Sequence, residues 1–197
     1  SDSARVAKFG NLTLTEVVSE DSQSNIFIPG VNLEKQATVS FDASEVATIV
    51  FVEITAPNWT PKDDNSCKNF WYDTQLEWSI ADGWNYLPDS RYVYYQELAP
   101  HTSLDQVPII KDGHIVVHTD TAIGNTDSLR MTFQASVIQN DGSLTPETAW
   151  NRKPESLLMA GAWGADTTTG AATGAATGAY ASYSATHIAL PASTSTS

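Results

Sequence analysis

Cysteine is nearly absent: Cys67 stands alone, so the chain cannot close an internal disulfide. A chain of 197 residues buries enough surface to fold without one. Cys67 lies in the polar stretch Lys62-Asp63-Asp64-Asn65-Ser66-Cys67-Lys68 and reads as an incidental residue. A catalytic thiol needs an activating His beside it in space, a neighbourhood that only the fold can show. Basic residues are also scarce, 10 against 23 acidic ones, giving a net charge of −13. A nucleic-acid partner requires a basic stripe to displace phosphate counterions, and an anionic lipid surface requires the same. Neither partner is expected. The acidity reads as solubility and mutual repulsion between copies.

Long hydrophobic runs are missing too. No stretch approaches the roughly 20 apolar residues of a membrane-spanning helix, so no membrane insertion is expected. The motifs of common catalysis do not occur: there is no HExxH, no phosphate-cradling GxxxxGK[ST] loop, no GxSxG and no paired CxxC. His114 and His118 share one face of a strand but stand roughly 13 Å apart along it, too far to hold one ion. Asp63-Asp64-Asn65 offers oxygen ligands without the glycine and spaced glutamate of a calcium loop. The chain is therefore read as a non-enzyme, with no catalytic residue, metal or cofactor.

Strands are plentiful. Leu129, Met131, Phe133, Ala135 and Val137 alternate with Arg130, Thr132, Gln134 and Ser136, which predicts one buried and one wet face. Leu76, Trp78 and Ile80 alternate in the same way with Gln75, Glu77 and Ser79. Leu12 and Leu14 do so with Thr13 and Thr15, and Val39 and Phe41 with Thr38 and Ser40. The run Ala47 to Ile54 is nearly all apolar and β-branched, which predicts a central strand covered on both faces. Arg91 to Leu98 and His114 to His118 add two more strands. Pro29-Gly30, Asp82-Gly83, Pro88-Asp89, Asp112-Gly113 and Asp141-Gly142 mark turns between them. One short helix is expected after Thr145, with Pro146 at its first position and Glu147 in its first turn. The fold class is all-β, a jelly roll or β-sandwich with one short helix and extended termini.

Composition divides the chain. Residues 1–10 read as an extended N-terminal segment, 11–163 as the jelly-roll domain, and 164–197 as a low-complexity extension ordered by assembly. Gly170 to Gly178 repeats a four-residue unit of Gly, Ala and Thr. In Tyr180 to His187 the residues permit a strand without demanding one. The aromatic residues Trp71, Trp78, Trp84, Tyr86, Tyr92, Tyr94 and Tyr95 are read as core and contact fillers, the alternative being a carbohydrate groove.

The order of phrases along the chain resembles the TasA/camelysin-like proteins, which Gram-positive bacteria export through the signal peptidase SipW. The phrases are Ser1-Asp2-Ser3, which reads as a processed start, then Gly10-Asn11-Leu12-Thr13-Leu14-Thr15, Ile28-Pro29-Gly30, and Lys35 with Thr38-Val39-Ser40. Ile49-Val50-Phe51-Val52-Glu53-Ile54, Ala81-Asp82-Gly83-Trp84 and Tyr92-Val93-Tyr94-Tyr95-Gln96-Glu97-Leu98 follow. Met131-Thr132-Phe133-Gln134-Ala135 and Pro146-Glu147-Thr148-Ala149-Trp150 complete the set. The tail from Gly164 has no counterpart in it. The resemblance implies a secreted subunit of a biofilm-matrix or pilus-like fibre at the cell surface. Its partners would be other copies of itself, head to tail, and other matrix components. Assembly would be by donor strand, the donor being Ala4, Arg5, Val6, Ala7, Lys8 and Phe9, with the Gly164–Ser197 tail as the competitor because it too could reach a neighbour. Two other readings stand beside it: a secreted carbohydrate-binding or adhesive module, and a metalloprotease of the camelysin type, for which the chain lacks a zinc motif.

Overall fold

The structure is a computed structural model. It describes residues 12–16, 26–27, 33–34, 36–118, 121–122, 131–140, 142, 144–152, 172–174, 176–177, 180–185 and 192–193. The strands in chain order are β1 (Leu12–Glu16), β2 (Ile26–Phe27), β3 (Leu33–Glu34), β4 (Ala37–Phe41), β5 (Thr48–Thr55) and β6 (Thr60–Pro61). They continue with β7 (Asn69–Tyr72), β8 (Leu76–Ser79), β9 (Asn85–Tyr86), β10 (Val93–Leu98), β11 (Leu104–Pro108) and β12 (His114–Val117). Then come β13 (Thr121–Ala122), β14 (Thr132–Gln139), the helix α1 (Pro146–Arg152), β15 (Ala172–Gly174), β16 (Ala176–Thr177), β17 (Tyr180–Ala185) and β18 (Ala192–Ser193).

The strands pair antiparallel throughout, in the orders β11-β4-β1-β15, β16-β17-β14-β5-β10-β9 and β18-β3-β12-β8-β7-β6, with β13-β2 as a small separate ladder. The alternating sequences explain how these sheets face one another. Leu12, Leu14, Val39, Phe41, Leu76, Trp78, Phe133 and Val137 are all buried and belong to one cluster. Every one of the three larger sheets thus sends its apolar row into a shared core, which makes the fold an all-β sandwich.

β5 is covered on both sides. Val50, Val52 and Ile54 enter the shared core, while Ile49 and Phe51 join a second cluster with Leu87, Val93, Ile138 and Ala149. The helix roofs that second face: the Trp150 ring lies 5.1 Å from the Phe51 ring, centroid to centroid. Thr145 caps α1 by accepting a hydrogen bond from the Thr148 N–H at 3.2 Å, and Ala149 N–H donates to the Thr145 carbonyl at 2.9 Å. The same roof corrects one expectation. The alternation puts Ser136 on the wet face of its strand, yet it is 1% exposed, because it shares the face of Phe51 that α1 closes over. Leu129 and Arg130, expected at the start of that strand, lie outside the described residues, as do Pro29-Gly30 and Asp141.

Candidate functional site: the seam closed by the tail

β14 is the longest shared ladder of its sheet. It pairs with β5 from Thr132↔Thr55 to Gln139↔Thr48 on one edge. On the other edge it pairs with β17 from Phe133↔Ala185 to Ile138↔Tyr180. In the facing sheet β1 pairs with β4 on one edge and with β15 on the other, through Leu12↔Gly174, Thr13↔Thr173 and Leu14↔Ala172. β15, β16 and β17 follow one another within residues 172–185, and β16 folds back on β17 through Ala176↔Ala181 and Thr177↔Tyr180. One short piece of the tail therefore extends both sheets, along the seam where β1 and β14 approach each other. A further short strand, β18, adds to β3 through Ala192↔Glu34 and Ser193↔Leu33.

The seam is apolar on the body side. Leu12, Leu14, Met131, Ala135 and Val137 are 0% exposed and Phe133 is 1% exposed. The tail that meets it is electrically blank: residues 167–197 contain no Asp, Glu, Lys or Arg. Ala4, Arg5, Val6, Ala7, Lys8 and Phe9, the expected donor segment, lie outside the described residues.

Of the aromatic residues that offered the groove alternative, Trp84, Tyr86 and Tyr94 line one small cleft of about 160 Å³, with Tyr86 and Tyr94 rings 5.5 Å apart. Trp78, Trp84 and Tyr94 are buried in the core at 1%, 8% and 2% exposure. Trp78 stacks on Phe70 with centroids 4.3 Å apart, and Trp84 Nε1–H donates to the Pro108 carbonyl at 2.9 Å. Trp71 stands apart on the outer face of β7. The Lys62 ammonium sits 4.1 Å from its ring centre, and the His118 ring lies 5.0 Å away. Glu77 ties that group together, 3.4 Å from Lys62 Nζ and 2.8 Å from His118 Nε2. His118 is thus held by a carboxylate and an indole. A cleft of about 490 Å³ opens beside Glu53, Arg91, Tyr92 and Trp59. Trp59 is 2% exposed there and presents no ring face on which a sugar could stack.

Cys67 is a core residue, 3% exposed, despite its polar neighbours. The tight turn before it explains how: Cys67 N–H donates to the Asp63 carbonyl at 2.9 Å, and its Sγ–H donates to the Asp64 carbonyl at 3.2 Å. Asp63 is spent within the loop, its Oδ1 accepting from Asn65 N–H at 2.9 Å. Among the described residues no three His, Cys, Asp or Glu side chains are grouped to hold a metal ion. Three phenols surround Cys67. The Tyr94 hydroxyl donates to the Cys67 carbonyl and the Tyr86 hydroxyl to the Ser90 carbonyl. Burial first, and the Cys67 side chain second, push the Tyr86 phenol up to about 12. Burial raises Tyr92 and Tyr94 as well.

No protein-family model, no curated protein and no solved structure matches the chain.

Proposed function

We propose that the chain is the structural subunit of an extracellular protein fibre, of the biofilm-matrix or pilus-like kind, which assembles by passing strands between copies. The observation that carries this reading is the seam. Two sheets of one sandwich are extended together by a strand module that the body reaches only across the nineteen residues 153–171. A sandwich whose edge strands depend on an added segment is complete only when that segment is supplied. Such an edge is the usual template for strand addition between chains, because main-chain hydrogen bonds carry the affinity.

The ordered phrases between Ser1 and Trp150 that resemble the TasA/camelysin-like proteins support the same reading, as does the acid-rich composition suited to a soluble precursor. Secretion and a place at the surface of a Gram-positive cell belong to this proposal. Sedimentation velocity of the purified chain tests it. A 21.3 kDa monomer at low salt should give way to a growing series of larger species as concentration and salt rise. A single monomer boundary under every condition would overturn the fibre reading.

A further inference from the structure

We propose that the tail module 172–185 is the strand that is exchanged: the seam between β1 and β14 accepts it from its own chain in the monomer and from a second copy in the fibre. This rests on the fibre reading and names the segment that joins neighbouring subunits.

Four observations converge on it. First, β17 is held by its ladder to β14, over the six pairs from Phe133↔Ala185 to Ile138↔Tyr180, with β16 of the same module outside it at the sheet's edge. Main-chain pairing of this kind is the same whichever molecule supplies the strand, so the two forms differ mainly in effective concentration. Second, the reach is sufficient. The nineteen residues between α1 and β15 span up to about 60 Å when extended. A domain of roughly 150 residues is only about 40 Å across. The chain between body and tail is long enough to cross to a neighbour.

Third, charge separates the tail from the body. The whole chain carries −13, yet residues 167–197 hold no Asp, Glu, Lys or Arg. Two bodies repel at neutral pH, but the tail of one enters the seam of another without adding charge to it. Fourth, an empty seam is unfavourable on two counts. It would open the N–H and C=O row of β14 along its free edge, and it would bare part of an apolar wall containing Leu12, Leu14, Phe133 and Val137. A tail that leaves home must therefore be replaced by another. The acceptor is one surface and the donor another, so each exchange leaves a free donor at one end and a free acceptor at the other. Passed one way from copy to copy, such exchange stays open and grows as a filament, whereas two copies trading tails with each other would close as a dimer.

Cysteine pairs across the β14–β17 ladder test this in the full chain. Ser136 faces Ser182 and Val137 faces Ala181 in the register. Successive antiparallel pairs alternate between about 5.5 and 4.5 Å in Cα separation, so one of the two sites suits a disulfide. In a Cys67→Ser background, chains carrying Ser136→Cys are mixed with chains carrying Ser182→Cys, assembled, oxidised and run on a denaturing gel. The Val137→Cys and Ala181→Cys chains are treated in the same way. The proposal expects covalent dimers from the mixed polymer and none from the mixed monomer at low salt. The double variant should close within one chain as monomer and give a ladder of linked chains as polymer. Polymer whose double variant closes only within single chains, with no dimers from the mixtures, overturns the tail as the exchanged strand and leaves the fibre reading standing. Loss of polymer on deleting residues 1–9, with the tail still linked at home, points to the N-terminal segment and has the same consequence. Absence of any polymer from the parent chain overturns both.

Discussion

Phe133 and Thr132 are adjacent in β14, yet their surroundings are opposite. Phe133 is 1% exposed within the shared core, and Thr132 is half-buried on the other face. Phe133→Ala should cost about 3–5 kcal/mol through lost transfer energy and the cavity left behind. Thr132→Ala should stay within about 0.5 kcal/mol. Denaturant melts of the two variants check the strand's phase, and equal midpoints would contradict it. The tyrosines around Cys67 set a second residue-scale expectation. Tyr86 keeps its proton in the folded chain up to about 12, and Tyr92 and Tyr94 are shifted in the same direction. An unfolded phenol releases its proton near pH 10. Above that pH the unfolded chain binds fewer protons than the folded one, so stability falls as base is added. These phenols' contribution should be fully present below about pH 10 and lost as pH rises through the folded-state values. Urea midpoints measured from pH 8 to 11 should drop at the alkaline end, and less steeply in Tyr94→Phe. A flat profile would contradict the burial of these phenols.

At the level of elements, α1 is short and depends on its cap and its roofing contact. Thr145→Ala should cost about 1 kcal/mol by leaving a helix N–H without its acceptor. The turn between β7 and β8 carries a different strain. Thr74 is β-branched and sits at φ 57°, where a side chain is crowded. Thr74→Gly should stabilise the chain by about 0.5–1 kcal/mol, read from the melting midpoint; a lower midpoint would contradict the strain. These elements also show what the sequence made legible. Alternation disclosed β1, β4, β8 and the first half of β14 because each has one buried and one more open face there, whereas from Ser136 to Ile138 both faces of β14 are buried; the apolar run disclosed β5 because α1 and the core cover both its faces. β11 carried no such pattern. It is an edge strand with a break in register between Leu104 and Val107 and Pro108 at its end, so only part of it faces the core. β6 and β9 are two residues long, too short for any period to register. The seam was illegible for a stronger reason. Apart from two tyrosines, residues 172–185 are only Ala, Gly, Ser and Thr, without an apolar alternation, and the pairing of β15 with β1 and of β17 with β14 is what gives the described ones their place.

For the whole molecule, the proposed fibre makes charge the condition on assembly. A body of net −13 repels its neighbours at neutral pH and low salt. Screening shortens that repulsion to about 10 Å at 0.1 M salt. Protonation toward the isoelectric point near 4.4 removes most of the charge itself. Polymerisation followed by light scattering should therefore accelerate with added salt and with falling pH, and rates indifferent to both would remove repulsion as the barrier. The most direct test of the molecule as a fibre subunit is an electron micrograph of the purified chain, brought from low to moderate salt at neutral pH. Unbranched filaments of uniform width, one sandwich repeating along the axis, are the expected result. A field of separate particles at every salt concentration would contradict it.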